Sequence, residues 1–170
     1  MELNETKEKL FEISKHKYGK LEGYTVKKHD FLIGVITYYK KWQKHVFYPF
    51  SLHGFTTAEL KEVIGFLNGV DGTNTKITST SKYIEFKEWF ETDPKGKWYS
   101  ILSKKSKDRY GHQIPDGDRE LGNLVPNDNG YRFRSEAEDA VYDAQCLEDI
   151  SNFLSKLGNE TTKKVTSRAE

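Results

Sequence analysis

Residues 56–67 read TTAELKEVIGFL and carry the clearest structural signal in the chain. Thr56 and Glu59 match a capping box, in which each side chain accepts a hydrogen bond from the backbone N–H of the other residue. The apolar residues that follow have the spacing i, i+3, i+4 and i+7 of one helix face: Leu60, Val63, Ile64 and Leu67. The pattern predicts an amphipathic helix over residues 56–68, which Asn68-Gly69 would end.

The same apolar spacing returns in the second half of the chain. The apolar residues of the second run are Leu147, Ile150 and Leu154, which correspond in order to Leu60, Val63 and Leu67 of the first run. Each run follows a stretch rich in aromatic residues. The repetition predicts a pseudo-repeat of two antiparallel sheet segments, each followed by an amphipathic helix, in halves of about 18–70 and 75–158. We therefore expect an α+β fold that forms a single domain over residues 1–158, with these six residues at the centre of its core.

Shorter patterns assign the other elements. A polar segment with few apolar residues predicts a short N-terminal helix over residues 4–17. Strands are expected at 22–28, 31–39, 45–50, 75–80, 82–90, 97–103 and 131–133, although residues 82–90 could instead be helical. Residues 104–130 are polar and contain glycine and proline, which predicts a long connection.

The second helix has its own start signal. Ser135 and Glu138 repeat the capping-box pattern, so the helix is expected to begin at about residue 136 and to run to about 157. Gly158 would end it. Residues 159–170 are expected to form a disordered tail.

The composition indicates a globular protein. Of 170 residues, 35% are hydrophobic and 14% are aromatic, and aromatic side chains bury large areas, so few of them can close a core. No apolar run reaches the length that crosses a bilayer, and the first residues have no apolar signal core. We therefore expect a cytoplasmic protein without membrane contact.

The residue types give little support to catalysis. Cys146 is the only cysteine, which excludes an internal disulfide, and its apolar neighbours predict a packed thiol. The five histidines lack the spacing of metal ligands, and no strand–turn–helix serine motif is present. The sequence therefore assigns no catalytic residue, metal or cofactor, and an enzyme of unknown class stays as an alternative.

The net charge of +1 conceals two stretches of opposite charge. Residues 15–44 contain eight lysines and two acidic residues, whereas residues 116–149 contain ten acidic residues and three arginines. Opposite charges that face apart produce a dipolar surface. We expect the two stretches to lie on separate outer surfaces, although the two halves could instead attract one another.

The strongest candidate binding segment is YYKKWQKH, residues 38–45. Lysine side chains neutralise phosphates, and aromatic rings stack on bases. The residues expected to contact nucleic acid or another partner are Tyr38, Lys40, Lys41, Trp42, Lys44 and His45. The alternative is that the tyrosines belong to the core and the lysines keep a hairpin turn soluble.

A second candidate is the acidic start of the predicted second helix. Its carboxylates could bind a basic partner, and they are Glu136, Glu138, Asp139 and Asp143. Acidic residues near a helix N-terminus also interact favourably with the helix dipole, which would explain part of the pattern without a partner.

WQKHVFYP at residues 42–49 and FTTAELKEVIGFL at residues 55–67 together resemble segments of small uncharacterised proteins of phages and prophages. The resemblance implies a mobile-element origin, action in the host cytoplasm, and a partner that is nucleic acid or a nucleic-acid-binding host protein. We expect a non-enzymatic binding protein that uses the basic aromatic hairpin. The alternative is an anti-CRISPR-like inhibitor of host defence that uses the acidic helix. A homodimer is left open.

Overall fold

The computed structural model describes residues 9–18, 21–50, 53–72, 84–93, 95–103, 119–137 and 139–166. It confirms the α+β class, because two four-stranded antiparallel sheets combine with two helices. The first sheet contains β1 (Glu12–Tyr18), β2 (Leu21–Lys28), β3 (Phe31–Tyr39) and β4 (Lys44–Pro49), and α1 (Thr57–Asp71) follows it. The second contains β5 (Ile84–Asp93), β6 (Gly96–Ser103), β7 (Arg119–Asn127) and β8 (Gly130–Ser135), and α2 (Ala144–Thr166) follows it. In both sheets, strands adjacent in sequence are adjacent in space.

The predicted first helix and its capping box are confirmed. Thr56 Oγ1 accepts a hydrogen bond from the Glu59 N–H at 3.3 Å, and Glu59 Oε2 accepts one from the Thr56 N–H at 2.8 Å. The helix continues to Asp71 because its C-cap, Gly72, adopts the left-handed conformation with φ 64°. The stop predicted at Asn68-Gly69 is therefore about one turn early.

Both sheets and both helices contribute to one apolar core. On the first sheet, the ring of Tyr24 packs edge-on against Phe66 of α1, with centroids 4.9 Å apart. On the second sheet, Phe86 stacks on Phe153 of α2 at 4.1 Å. The six residues predicted at the centre of the core are all buried: Leu60, Val63, Leu67, Leu147, Ile150 and Leu154.

Two reciprocal backbone pairs join the sheets. Phe55, which follows β4, pairs with Phe133 of β8 through hydrogen bonds of 2.7 and 2.9 Å. Tyr142, which follows β8, pairs with Phe47 of β4 through hydrogen bonds of 2.8 and 3.0 Å. All four side chains are fully buried. Each half therefore borders the last strand of the other half, and the halves cannot separate without breaking both pairs.

The helix predicted over residues 4–17 is wrong where the structure describes it, because Glu12–Tyr18 form β1. This strand pairs with β2 along its whole length. Ile13 is the only aliphatic residue in β1, so the sequence lacks the alternation that marks a half-buried strand. Residues 1–8 lie outside the described part of the chain.

The connection predicted over residues 104–130 contains a strand, β7. Gly122 and Pro126 favour a loop in the sequence, but both fit this strand. A Cβ at Gly122 would clash with the carbonyl oxygen of Arg134 on β8, so the close pairing requires glycine. Pro126 lies near the hairpin turn that begins β8, where fewer ladder hydrogen bonds are needed.

The second helix begins and ends later than predicted. Ser135 is the last residue of β8 instead of a helix cap, and α2 spans Ala144–Thr166 instead of 136–157. The helix thus includes residues 159–166, which the sequence assigned to the tail. The remaining predictions that lie outside the described residues concern Glu138, the strand at 75–80, the segment 104–118 and residues 167–170.

Gly34→Ala is expected to destabilise the protein by roughly 1–3 kcal/mol, the range for overpacking a core. A Cβ at Gly34 would lie 2.7 Å from Phe47 Cζ and 2.7 Å from the carbonyl oxygen of Tyr48. Gly65→Ala in α1 is the matched control, because a Cβ there meets nothing within 4 Å and alanine is favoured in helices by about 0.5–1 kcal/mol. Urea unfolding measures both variants, and equal stability would contradict the tight packing at Gly34.

Candidate nucleic-acid interface

The predicted hairpin tip joins β3 to β4. Two backbone hydrogen bonds close the turn, from the Trp42 N–H to the Tyr39 carbonyl at 3.1 Å and from the Gln43 N–H to the Lys40 carbonyl at 3.3 Å. Gln43 has φ 52°, a left-handed conformation that redirects the chain into β4. Lys40 and Lys41 are exposed, so the turn presents two cationic side chains at the end of the sheet.

The tip carries aromatic rings on both faces of the first sheet. Tyr38 and Tyr39 are consecutive strand residues, so their side chains point to opposite faces. Trp42 is 41% exposed and packs edge-on against Tyr39, with ring centroids 5.0 Å apart. Tyr38 is 48% exposed and packs edge-on against His45 at 5.4 Å. Each exposed ring is thus supported by a neighbour and keeps open surface for a ligand.

Lys44 and His45, the other two predicted contact residues, are engaged within the protein. Lys44 Nζ donates to Asp143 Oδ2 at 2.8 Å. His45 Nδ1 lies 2.6 Å from Asp71 Oδ1, and the His45 backbone N–H also donates to that carboxylate. These contacts fasten the start of β4 to the end of α1 and to the start of α2. Both residues therefore position the tip.

Two lysines that the sequence did not assign to the site lie at the same end of the sheet. Lys15 and Lys17 belong to β1, and the antiparallel order places the end of β1 and the start of β2 at the same end of the sheet as the β3–β4 turn. Both face Glu22 at 3.6 and 3.7 Å, in exposed pairs that contribute little stability. The predicted helix gave no sign of this placement, because only strand pairing brings residues 15 and 17 to the end of the sheet that carries the tip, two strands away from β3. We call Lys15, Lys17, Tyr38, Lys40, Lys41 and Trp42 the tip surface.

The acidic residues do not form the predicted helix face. Asp143 is buried, and its Oδ1 accepts the Cys146 N–H at 2.8 Å, so it is the N-cap of α2. Glu136 and Asp139 are exposed but lie before the helix, and Glu138 lies outside the described residues. The prediction that Glu136 and Asp139 lie on a helix is therefore wrong.

The ion pair between Lys44 and Asp143 also connects the two predicted charge surfaces. The expectation that they lie entirely apart is wrong at this contact, since one residue of each neutralises the other. Among the described residues, Lys40 and Lys41 take part in no such pair. The positive charge of Lys44 at the start of β4 is thus neutralised, whereas Lys40 and Lys41 keep theirs in the turn.

Asp143→Ala is expected to destabilise the protein by about 1–2 kcal/mol, because it removes the cap of α2 and leaves Lys44 without this partner. Asp143→Asn keeps a capping oxygen and is expected to cost less than half as much. Thermal unfolding with circular dichroism at 222 nm reports both. If Asn destabilised as strongly as Ala, the charge and not the cap would be the main contribution.

Neither metal nor thiol chemistry is indicated among the described residues. No group of three or more His, Cys, Asp or Glu side chains there is arranged to hold a metal ion. Burial, assisted by Asp143, raises the pKa of the Cys146 thiol, which therefore stays protonated at neutral pH. In the ranges that the structure describes, no helix is long and apolar enough to cross a membrane.

The structure also exposes an apolar patch at the opposite end of the first sheet. Phe31 is 76% exposed, and Leu32 and Phe50 are also exposed. The Phe50 N–H donates to the Ile33 carbonyl at 2.9 Å, which keeps the chain after β4 beside the start of β3. Phe31 and Leu32 begin the strand predicted over residues 31–39, and this end of the strand lies outside the buried core.

Comparison of the chain with protein-family models, with curated proteins and with solved structures gives no match. What the tip surface binds therefore has to be inferred from the chemistry of its own residues.

Proposed function

We propose that this protein binds single-stranded nucleic acid through the tip surface and does not catalyse a reaction on it. The observation that carries the proposal is the placement of exposed Lys40 and Lys41 between two supported, half-exposed rings, Tyr38 and Trp42. Lysine ammonium groups neutralise phosphates, which supplies most of the affinity for nucleic acid. The rings can stack on bases.

The aromatic rings favour a single strand over a duplex. In a duplex the faces of the bases are stacked on one another, so a protein ring reaches them only after unstacking. In a single strand the base faces are accessible, and each stacking contact contributes on the order of 1–3 kcal/mol. Lys15 and Lys17 extend the cationic surface from the turn along the end of the first sheet. The flexible backbone of a single strand can run along this end and contact both pairs of lysines.

A nucleoprotein complex of the host is the other partner compatible with this surface, in line with a mobile-element origin. No observation favours the alternative of an inhibitor with an acidic helix. Asp143 is buried as a helix cap, and Glu136 and Asp139 lie before α2. We keep the cytoplasm as the proposed place of action.

We also propose that the two halves are copies of one unit. The support is the shared order of four antiparallel strands and a helix in each half. The reciprocal pairs Phe47–Tyr142 and Phe55–Phe133 add to it, since each links the last strand of one half to the segment before the helix of the other.

Fluorescence anisotropy with a labelled single strand of about 20 nucleotides, at salt concentrations of about 50 to 200 mM, tests the binding proposal. We expect log K to fall linearly with log salt, with a slope of about −1.4 to −2.8, as for two to four neutralised phosphates. A duplex of the same sequence is expected to bind more weakly. Binding that does not respond to salt, or no binding of either form, would overturn the proposal.

A further inference from the structure

The outer face of the second sheet carries a continuous row of polar side chains. The inner face packs on α2, as shown by Tyr99, whose ring lies 5.3 Å from that of Phe153. Because successive side chains along a strand point to opposite faces, the residues on either side of Tyr99 in the sequence point to the outer face. One cross-strand row on this face, in register over all four strands, consists of Lys87, Ser100, Asn123 and Arg134. At the usual strand spacing it is about 14 Å wide.

Ser100 is the centre of a hydrogen-bond network on this face. It is 5% exposed, and its Oγ donates to Glu120 Oε1 at 2.9 Å. The Asn123 amide lies 3.3 Å from the same hydroxyl and, with its nitrogen turned toward the carboxylate, donates to Glu120 Oε1 at 2.9 Å. The Trp89 Nε1–H also donates to Ser100 Oγ. The polar groups are therefore held in place before any ligand arrives.

Trp89 adds an aromatic platform to this network. Its indole edge is anchored on Ser100, yet the residue is 45% exposed. Burying a fixed ring costs little conformational entropy, because the side chain is already ordered. An exposed tryptophan in this state suits a ligand with a flat apolar face and polar groups around its rim.

The charges on the face favour a neutral ligand over a polyanion. Arg132, which shares this face with Arg134, donates to a backbone carbonyl of the segment before α1. Lys87 and Arg134 are accompanied by Glu120 and by Glu85, which lies two residues before Lys87 on the same face. A phosphate chain would meet both carboxylates, and nucleic-acid affinity depends mainly on excess positive charge. A neutral ligand with many hydroxyl groups has no such conflict, since carboxylate, amide and guanidinium groups can all hydrogen-bond to hydroxyls.

We propose that the outer face of the second sheet binds a neutral oligosaccharide, with a sugar ring stacked on Trp89 and its hydroxyls bound by Glu120 and Asn123. Lys87 and Arg134 form the two ends of the row and extend the hydrogen-bonding surface along the chain of the ligand. This site is separate from the tip surface and does not depend on nucleic-acid binding there.

Titration of the full chain with maltohexaose, cellohexaose and chitohexaose, followed by heteronuclear NMR, tests the proposal. We expect one of these probes to shift the Trp89 indole N–H signal and to bind at millimolar concentrations or below. Trp89→Ala is expected to weaken that binding at least about tenfold, because it removes the stacking ring. Glu120→Gln, which keeps the shape of the side chain, is expected to weaken it as well.

Trp42→Ala is the matched control, because Trp42 is exposed to a similar extent but lies on the tip surface. It should leave saccharide binding unchanged, and Trp89→Ala should leave oligonucleotide binding unchanged. Binding of none of the three probes would overturn the proposal. So would full binding by a folded Trp89→Ala variant, or loss of oligonucleotide binding in that variant, which would assign the face to nucleic acid instead.

Discussion

Replacing Lys40 and Lys41 together by glutamate is expected to lower the affinity for single-stranded nucleic acid on the order of 100-fold at low salt. Both lysines are exposed at the tip, so the change reverses two charges where phosphates would bind. The salt slope should become shallower by about 1.4, the value for two lost phosphate contacts on a single strand. Anisotropy titrations at several salt concentrations measure both quantities.

The matched control is the pair Lys61→Glu and Lys156→Glu. These lysines are exposed on α1 and α2 and give the same change in net charge. Charges further from the ligand than about 10 Å are largely screened at 0.1 M salt, so the control should change affinity by less than about threefold. Equal losses in the two double variants would show that net charge, and not the tip surface, determines binding.

Glu59→Gln is expected to destabilise the fold by about 2–3 kcal/mol at neutral pH. The Glu59 carboxylate is 3% exposed, accepts the Thr56 N–H at 2.8 Å, and forms an ion pair with Lys28 of β2. His53 Nε2 lies 3.6 Å from it, beyond hydrogen-bond distance. Glutamine keeps the capping box but leaves the ammonium group of Lys28 half-buried without its counter-charge. The variant therefore keeps the cap and removes the charge that faces Lys28 and His53.

The same carboxylate predicts how stability depends on pH. Burial alone would raise the pKa of Glu59, but His53, Lys28 and the Thr56 N–H together outweigh it and hold the pKa at about 2. A carboxyl group with a lowered pKa stabilises the fold above its ordinary pKa, which is 4.5 here, and loses that contribution as the pH falls toward 2. The total is about 3 kcal/mol.

Urea unfolding of the wild type and of Glu59→Gln at several pH values tests this coupling. The difference in the free energy of unfolding should be largest above pH 4.5 and should shrink as the pH falls, because protonation makes Glu59 as neutral as glutamine. Glu12→Gln, at an exposed glutamate on β1, is the control and should change stability by less than about 0.5 kcal/mol. A pH-independent difference would contradict an ionised, buried Glu59.

Local patterns predicted α1 and the hairpin from β3 to β4 well. The capping box and the apolar stripe of α1 depend on residues within one helix, and both are confirmed at Thr56, Glu59 and Leu60. The hairpin from β3 to β4 follows from two apolar runs around a lysine-rich turn. By contrast, β1 and β7 contain few apolar residues, and it is pairing with β2, β6 and β8 that makes them strands.

The sequence by itself determined the elements with a strong local signal and the chemistry of the tip, where lysines and aromatic residues lie within one short segment. Only the tertiary structure decided which of these side chains a ligand can reach. It pairs Lys44 with Asp143, a residue 99 positions away, and through strand pairing it brings Lys15 and Lys17 to the end of the sheet that carries the tip. The physical reason is that helix periodicity and capping act over a few residues, whereas burial and ion pairing depend on segments that meet only when the chain folds.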